Sequence, residues 1–192
     1  MPGDDPLPEV HFPAFQPQDY PRLIAAIDGL QALVPWAGPL FRLPRDEGQL
    51  EAYRASALGE ASIRRIHTAC DVTGQPVGHV ELNDIDGYAA RLCRVLIDPP
   101  FRGRGAGRAM DRQALHTGFD EPGLQRIDLG VYGFNTTAVR CYELEIFVKE
   151  GHLRQARKVG DETWSLDPMG ILESECRRLE NARPEVNPGE AR

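Results

Sequence analysis

In this 192-residue chain the types and spacing best suited to chemistry lie between Ile97 and Met110, in the run Ile-Asp-Pro-Pro-Phe-Arg-Gly-Arg-Gly-Ala-Gly-Arg-Ala-Met. Gly103, Gly105 and Gly107 alternate between a strand-like segment and a helix-like one. Glycine permits positive φ and lets another molecule approach the backbone with no Cβ in the way. The first turn of a helix leaves N–H groups unpaired, and its dipole favours negative charge there. Together these features make an anion cradle suited to a pyrophosphate. Arg102, Arg104 and Arg108 add positive charge beside it, and the spacing of Arg104 and Arg108 allows both to share one face of the helix start. The same glycines fit a Rossmann dinucleotide turn, with Asp128 as the ribose-binding acid. Against that reading, Asp128 falls inside the next strand-like run, and the strands before the turn read as antiparallel. Cys70, Cys93, Cys141 and Cys176 are far apart, and the five histidines show no zinc-type spacing. Four reduced thiols and no metal site are expected.

The elements that must position this turn are legible in outline. Asp19-Tyr20-Pro21 starts a helix carrying Leu23, Ile24, Ile27, Leu30 and Leu33 at helical spacing. Trp36-Ala37-Gly38-Pro39 interrupts it, and a short helix over Asp46 to Leu58 follows. Ile63 to Asp71, Pro76 to Leu82 and Tyr88 to Ile97 alternate with turn residues and predict an antiparallel meander. A helix from Gly105 to Thr117, a strand over Arg126 to Tyr132 and a helix capped by Asn135 come next. Extended runs over Phe147 to Arg157 and Glu162 to Leu166, then a helix from Ile171, complete the pattern. A meander feeding a strand–helix–strand unit implies an α+β fold with a mixed sheet and helices on its faces.

Composition sets limits. A hydrophobic share of 41% in 192 residues suits one globular domain. The expected organisation is a disordered leader over residues 1–8, a single domain over 9–170, a terminal helix over 171–182 and a disordered tail over 183–192. No apolar run is long enough to span a membrane, and the acidic, proline-rich start lacks a secretory signal, so a cytoplasmic protein is expected. A net charge of -7 argues against nucleic-acid binding. Charge is distributed unevenly: Arg91 to Arg112 holds six arginines and two aspartates, a local +4 in a chain whose remainder carries -11.

The string from Ile97 to Met110 resembles the acetyl-CoA-binding motif of the GNAT N-acetyltransferases. A second match lies at Asn135-x-x-Ala138-x-x-x-Tyr142, followed by Phe147-Val148-x-Glu150-Gly151. The tone of the segment around Trp36 is nearest to the ribosomal-protein N-terminal acetyltransferases and uncharacterised bacterial members. The resemblance implies a mostly antiparallel sheet splayed at a central parallel pair, with acetyl-CoA as co-substrate and an amine as acceptor. It places Val95, Leu96 and Ile97 along the pantetheine arm, and Arg102, Gly103, Arg104, Gly105, Ala106, Gly107 and Arg108 around the pyrophosphate. The amide near Val95 would polarise the thioester carbonyl, and Tyr142 would protonate the departing thiolate. Pro99, Arg102 and the Asn135–Tyr142 match have no place in a Rossmann site.

Several assignments stay open. The base for the incoming amine is Glu81, with Asp84 and Asp86 nearby, or a water relay. Asn135 bonds the co-substrate or caps its helix, and Trp36 walls the acceptor pocket or plugs the core beneath a loop. Glu145-Ile146-Phe147 stands where many relatives have Leu-Gly-Phe, which predicts a different helix ending. A non-enzymatic CoA sensor on the same fold is the alternative function. The acceptor is a protein N-terminus, a polyamine, an amino-acid derivative or an antibiotic amine, with the acidic surface suiting a cationic one. The helix from Ile171 is a candidate dimer contact.

Overall fold

The apolar repeat from Leu23 to Leu33 is cut in two by Gly29, whose φ of 78° belongs to a conformation that favours glycine. Helix α1 (Tyr20–Ala26) therefore ends before α2 (Leu30–Ala37) begins. The buried Arg45 guanidinium donates to the carbonyls of Leu23, Ile24 and Ile27 at 2.9, 2.6 and 2.6 Å, which satisfies the orphan acceptors at the end of α1. Asp46 caps α3 (Glu47–Ala55) by accepting from the Gln49 N–H at 2.8 Å.

A computed structural model describes residues 6–182 except Glu60 and Pro122. The remaining elements are β1 (Val10–His11), β2 (Arg65–Asp71), β3 (Pro76–Asn83), β4 (Ala89–Ile97), α4 (Ala106–Phe119), β5 (Arg126–Tyr132), α5 (Thr136–Leu144), β6 (Val148–Lys149), β7 (Leu153–Val159), β8 (Glu162–Leu172) and α6 (Glu173–Ala182). One sheet runs β1-β2-β3-β4-β5-β8, and β6 and β7 both pair with β8. All its pairings are antiparallel except β4 with β5. This is the mixed sheet that the sequence pattern implies.

Each face of the sheet carries its own core. Met110, Ala114 and Leu115 of α4 pack with Val80, Leu92, Ile127 and Leu129, and Ala138 and Tyr142 of α5 lie against the same cluster. On the opposite face Leu23, Leu33, Trp36, Leu50 and Tyr53 gather α1, α2 and α3 over Ile66. Gly78 is required where β3 passes β4: a Cβ there would lie 2.3 Å from the Leu96 carbonyl oxygen and 2.8 Å from Met110 Sδ.

The structure corrects two local expectations. Ile171 and Leu172 continue β8, because they pair with Ile127 and Arg126, so the terminal helix starts at Glu173. The extended run from Phe147 is divided into β6 and β7 before it reaches Arg157. Of the leader and tail, residues 1–5 and 183–192 lie outside the described residues, while Leu7 packs against the α4 core. No helix among the described residues is long and apolar enough to cross a membrane.

Candidate active site

The parallel pair is short. Ala89, Ala90 and Arg91 pair with Arg126, Ile127 and Asp128, and there the pairing of β4 with β5 stops. Beyond that point β4 stays with β3, since Leu96 pairs with His79 and Ile97 with Gly78, while β5 stays with β8 through Tyr132. A cleft of about 1010 Å³ occupies the gap. Its walls include Val95, Leu96 and Ile97 of β4, Leu129 to Tyr132 of β5, Trp36 of α2 and Tyr142 of α5. Residues from both faces of the sheet line it, so the opening passes between them.

The glycine turn closes one end. Gly103 and Gly105 have φ of 72° and 81°, and Gly105 is the N-cap of α4. Gly103, Gly105 and Gly107 all line the cleft. A Cβ on Gly103 would meet open space, so its role is conformational, whereas one on Gly107 would stand 3.3 Å from Cys141 Sγ, where α4 and α5 come close. The turn is braced from α1: Arg22 donates to both oxygens of Asp98 at 3.0 and 2.9 Å. Arg102 donates to the Ile97 carbonyl at 2.9 Å, and Arg108 to buried Glu145 at 2.9 Å.

The middle of β4 is bulged. Register shifts between His79 and Glu81, and Arg94 takes the left-handed region at φ 50°. An extra residue in one strand re-aims its neighbours. The Arg94 carbonyl accepts from Trp36 Nε1 at 2.8 Å, and the Arg94 guanidinium reaches Glu81 at 2.8 Å and lies over the Tyr53 ring. Glu81 is 0% exposed and does not line the cleft. Its carboxylate accepts from the Tyr53 hydroxyl, and His79 Nε2 lies 3.1 Å from that hydroxyl. Burial raises the Glu81 carboxyl, against the opposing pull of Arg94 and Tyr53, and burial holds His79 well below the usual histidine range.

Tyr142 faces the cleft from α5, with its ring edge-on to Phe147 at 5.7 Å. Burial, reinforced by Asp111, raises its hydroxyl well above the usual tyrosine value. Asp111 also lines the cleft at 1% exposure; one of its oxygens accepts from Cys141 Sγ at 3.2 Å and the other has no partner. Burial pushes that carboxyl up to about 7.

The end of α5 differs from expectation. Ile146 adopts φ 59°, the conformation a glycine would take there. The Ile146 N–H donates to the Glu143 carbonyl and the Phe147 N–H to the Tyr142 carbonyl, each at 3.0 Å. These two bonds make a Schellman ending, and Glu145, held by Arg108 and Arg112, ties it to α4. The helix therefore ends as a glycine would end it, with a β-branched residue in a costly backbone region.

Val95, Leu96, Ile97, Arg102, Gly103, Gly105, Gly107, Arg108, Asn135, Tyr142 and Trp36 all line the one cleft. Arg104 and Ala106 do not, and neither does Glu81. Asn135 caps its helix, its side chain accepting from the Ala138 N–H at 3.2 Å, and the residue also borders the cleft. Sequence reasoning passed over Arg94 and Asp111. Both carried a signal, a charge inside an apolar strand and a carboxylate on the buried stripe of α4 beside Met110, Ala114 and Leu115.

The acetyltransferase (GNAT) family model matches residues 30–145. Among curated proteins, the chain is 28% identical over 143 residues to an SPbeta prophage-derived uncharacterized N-acetyltransferase of Bacillus subtilis, covering 74% of this chain and 77% of that protein. It is 34% identical over 100 residues to the spermidine N(1)-acetyltransferase of Vibrio cholerae, a match that spans 51% of this chain and 57% of the relative's length. The crystal structure of the Vibrio cholerae spermidine N-acetyltransferase with CoA and spermine superposes with a TM-score of 0.77 at 23% identity, covering 88% of this chain and 98% of that one. At that identity the likeness establishes the fold. With the family model spanning both cleft motifs, the chain belongs to the acetyltransferase (GNAT) family and is an acyltransferase.

Proposed function

We propose that the protein moves the acetyl group of acetyl-CoA to a primary amine by direct attack within a ternary complex. One observation carries this reading: the same cleft is bordered by a backbone anion cradle, a strand with free pairing positions and a tyrosine hydroxyl. The N–H groups opening α4, with Arg102 and Arg108, suit the pyrophosphate, and Gly105 at φ 81° lets the turn present them. Val95 to Ile97 offer backbone groups to the pantetheine arm much as a sheet edge takes a peptide. Acetyl-CoA supplies an activated thioester.

The Val95 N–H, presented by the bulge, stabilises charge on the thioester oxygen as the C–N bond forms. As the C–S bond breaks, Tyr142 protonates the thiolate. Its raised pKa keeps that proton in place at neutral pH, so the hydroxyl is present as a donor when the thiolate leaves. The enclosed Glu81 has no open path to an acceptor nitrogen, so it serves by holding Arg94 and the bulge, and water takes the proton of the amine. Trp36, seated across the opening from Tyr142's helix, borders the acceptor side.

An acetyl-CoA consumption screen across amine classes, with mass spectrometry of the products, tests this. Acetylated amine together with free CoA is the expected outcome. Tight acetyl-CoA binding without transfer to any amine would favour the sensor alternative, and preferential NADH binding in calorimetry would favour the dinucleotide reading.

A further inference from the structure

The two sides of the cleft differ in charge. On the α4–α5 side stand Arg102, Arg108 and Arg140, suited to phosphates. On the α2 side the wall is Val34, Pro35, Trp36 and Ala37, with Tyr132 and Leu166 from β5 and β8 also lining the opening. Tyr132 belongs to an aromatic cluster with Phe134 and Trp164, against which Val34 packs. The β4 cations that line the cleft, Arg94 and Arg91, are each already paired, Arg94 with Glu81 at 2.8 Å and Arg91 with Asp128 at 2.7 Å. Asp111 is the one carboxylate among the described lining residues, and it stands on α4, against Cys141.

An ammonium moved out of water needs a counter-charge or a full set of acceptors. The reacting nitrogen escapes that demand because it must be neutral to attack. A second ammonium, carried a few bonds away on the same molecule, would sit among Val34, Pro35, Tyr132 and Leu166, where no carboxylate among the described residues lines the wall. Resting on the amine acetyltransferase reading, we infer that the acceptor is a monoamine with an apolar or aromatic body and not a polyamine. The acidic net charge of the chain, which by itself suits a cationic acceptor, lies elsewhere on the molecule. The spermidine acetyltransferases that share the fold act on a different charge pattern from the one this wall is built to take.

The test compares hexylamine with hexamethylenediamine, which differ by one terminal ammonium, together with phenethylamine and spermidine, all at one pH and saturating acetyl-CoA. The expected result is a kcat/KM at least about tenfold higher for hexylamine than for the diamine, with phenethylamine well above spermidine. A diamine or spermidine as good as or better than the monoamines would overturn the inference and leave amine acetylation standing. Acetyl-CoA binding with no acetylation of any of the four would overturn the amine reading itself, and the inference with it. A Pro35→Glu variant places a carboxylate on the apolar wall and should raise the diamine-to-monoamine ratio. A correctly folded variant with an unchanged ratio would show that this wall does not meet the acceptor.

Discussion

Replacing Glu81 distinguishes an anchor from a base. Glu81 is 0% exposed and the Arg94 side chain is 10% exposed, so the pair is desolvated and 2.8 Å apart. Removing one partner of a buried ion pair leaves the other charge stranded, at a cost of about 3–5 kcal/mol. Glu81→Ala should lose about that much in urea denaturation. Glu81→Gln keeps an acceptor for Tyr53 and gives up the charge-assisted bond to Arg94, worth about 1.5–3 kcal/mol. Arg94 is also held at φ 50°, where a non-glycine residue sits about 1–2 kcal/mol above the right-handed alternative. Without Glu81 the bulge keeps the Trp36 bond to the Arg94 carbonyl but loses its side-chain restraint, so the Val95 N–H is less well aimed, and kcat should fall and KM for acetyl-CoA should rise together. An anchor leaves the acid limb of the pH–rate profile in place, and a Glu81→Gln, Arg94→Met double variant should recover stability that the single variant lost. If Glu81→Gln instead loses less than about 1 kcal/mol, keeps KM and abolishes the acid limb, the carboxylate is the base and the anchoring account is wrong.

Three further outcomes are expected. Tyr142→Phe should lower kcat by about 10²-fold or more with acetyl-CoA affinity preserved in calorimetry, and an unchanged kcat would remove the tyrosine from the reaction. Gly105→Val puts a β-branched residue at φ 81° with Leu7 and Pro8 at 3.3 Å from its Cβ; acetyl-CoA binding should disappear while the circular dichroism spectrum is retained, and retained affinity would dismiss the cradle. Asp111 is protonated in the folded protein up to about 7, whereas in the unfolded chain it ionises near about 3.9. Folding stability therefore falls as pH rises through that window and the deficit is complete above it. The difference is worth up to about 4 kcal/mol. Asp111→Asn should thus gain stability relative to the parent as pH rises from about 4 to about 7, and a pH-independent difference would contradict the assignment.

Much of the site was legible because its signals are local. Alternate glycines between a strand and a helix, Asn135 ahead of α5, and Tyr142 on the buried stripe of that helix are read from spacing over a turn or two, and all of them line the cleft. Ile146 shows where that logic stops. Its side chain argues against a left-handed helix ending, yet the two Schellman bonds and the Glu145 contacts to Arg108 and Arg112 impose one. Glu81 shows the same limit: its strand was placed correctly, but its partners come from α3 and from the β4 bulge, and they hold its carboxylate buried and off the cleft wall.

By itself the sequence determined the order of most elements, the glycine turn that opens α4 and the position of Tyr142 on α5, since each depends on backbone preferences and periodicities within a few residues. Only the tertiary structure decided the residue at which β4 leaves β5, the bulge at Arg94 and the apolar wall on the α2 side of the cleft. Those depend on contacts between residues far apart in the chain, such as Arg22 with Asp98, separated by 76 positions, and Trp36 with Arg94, separated by 58. Such contacts form only once the whole sheet is assembled, and no local spacing encodes them.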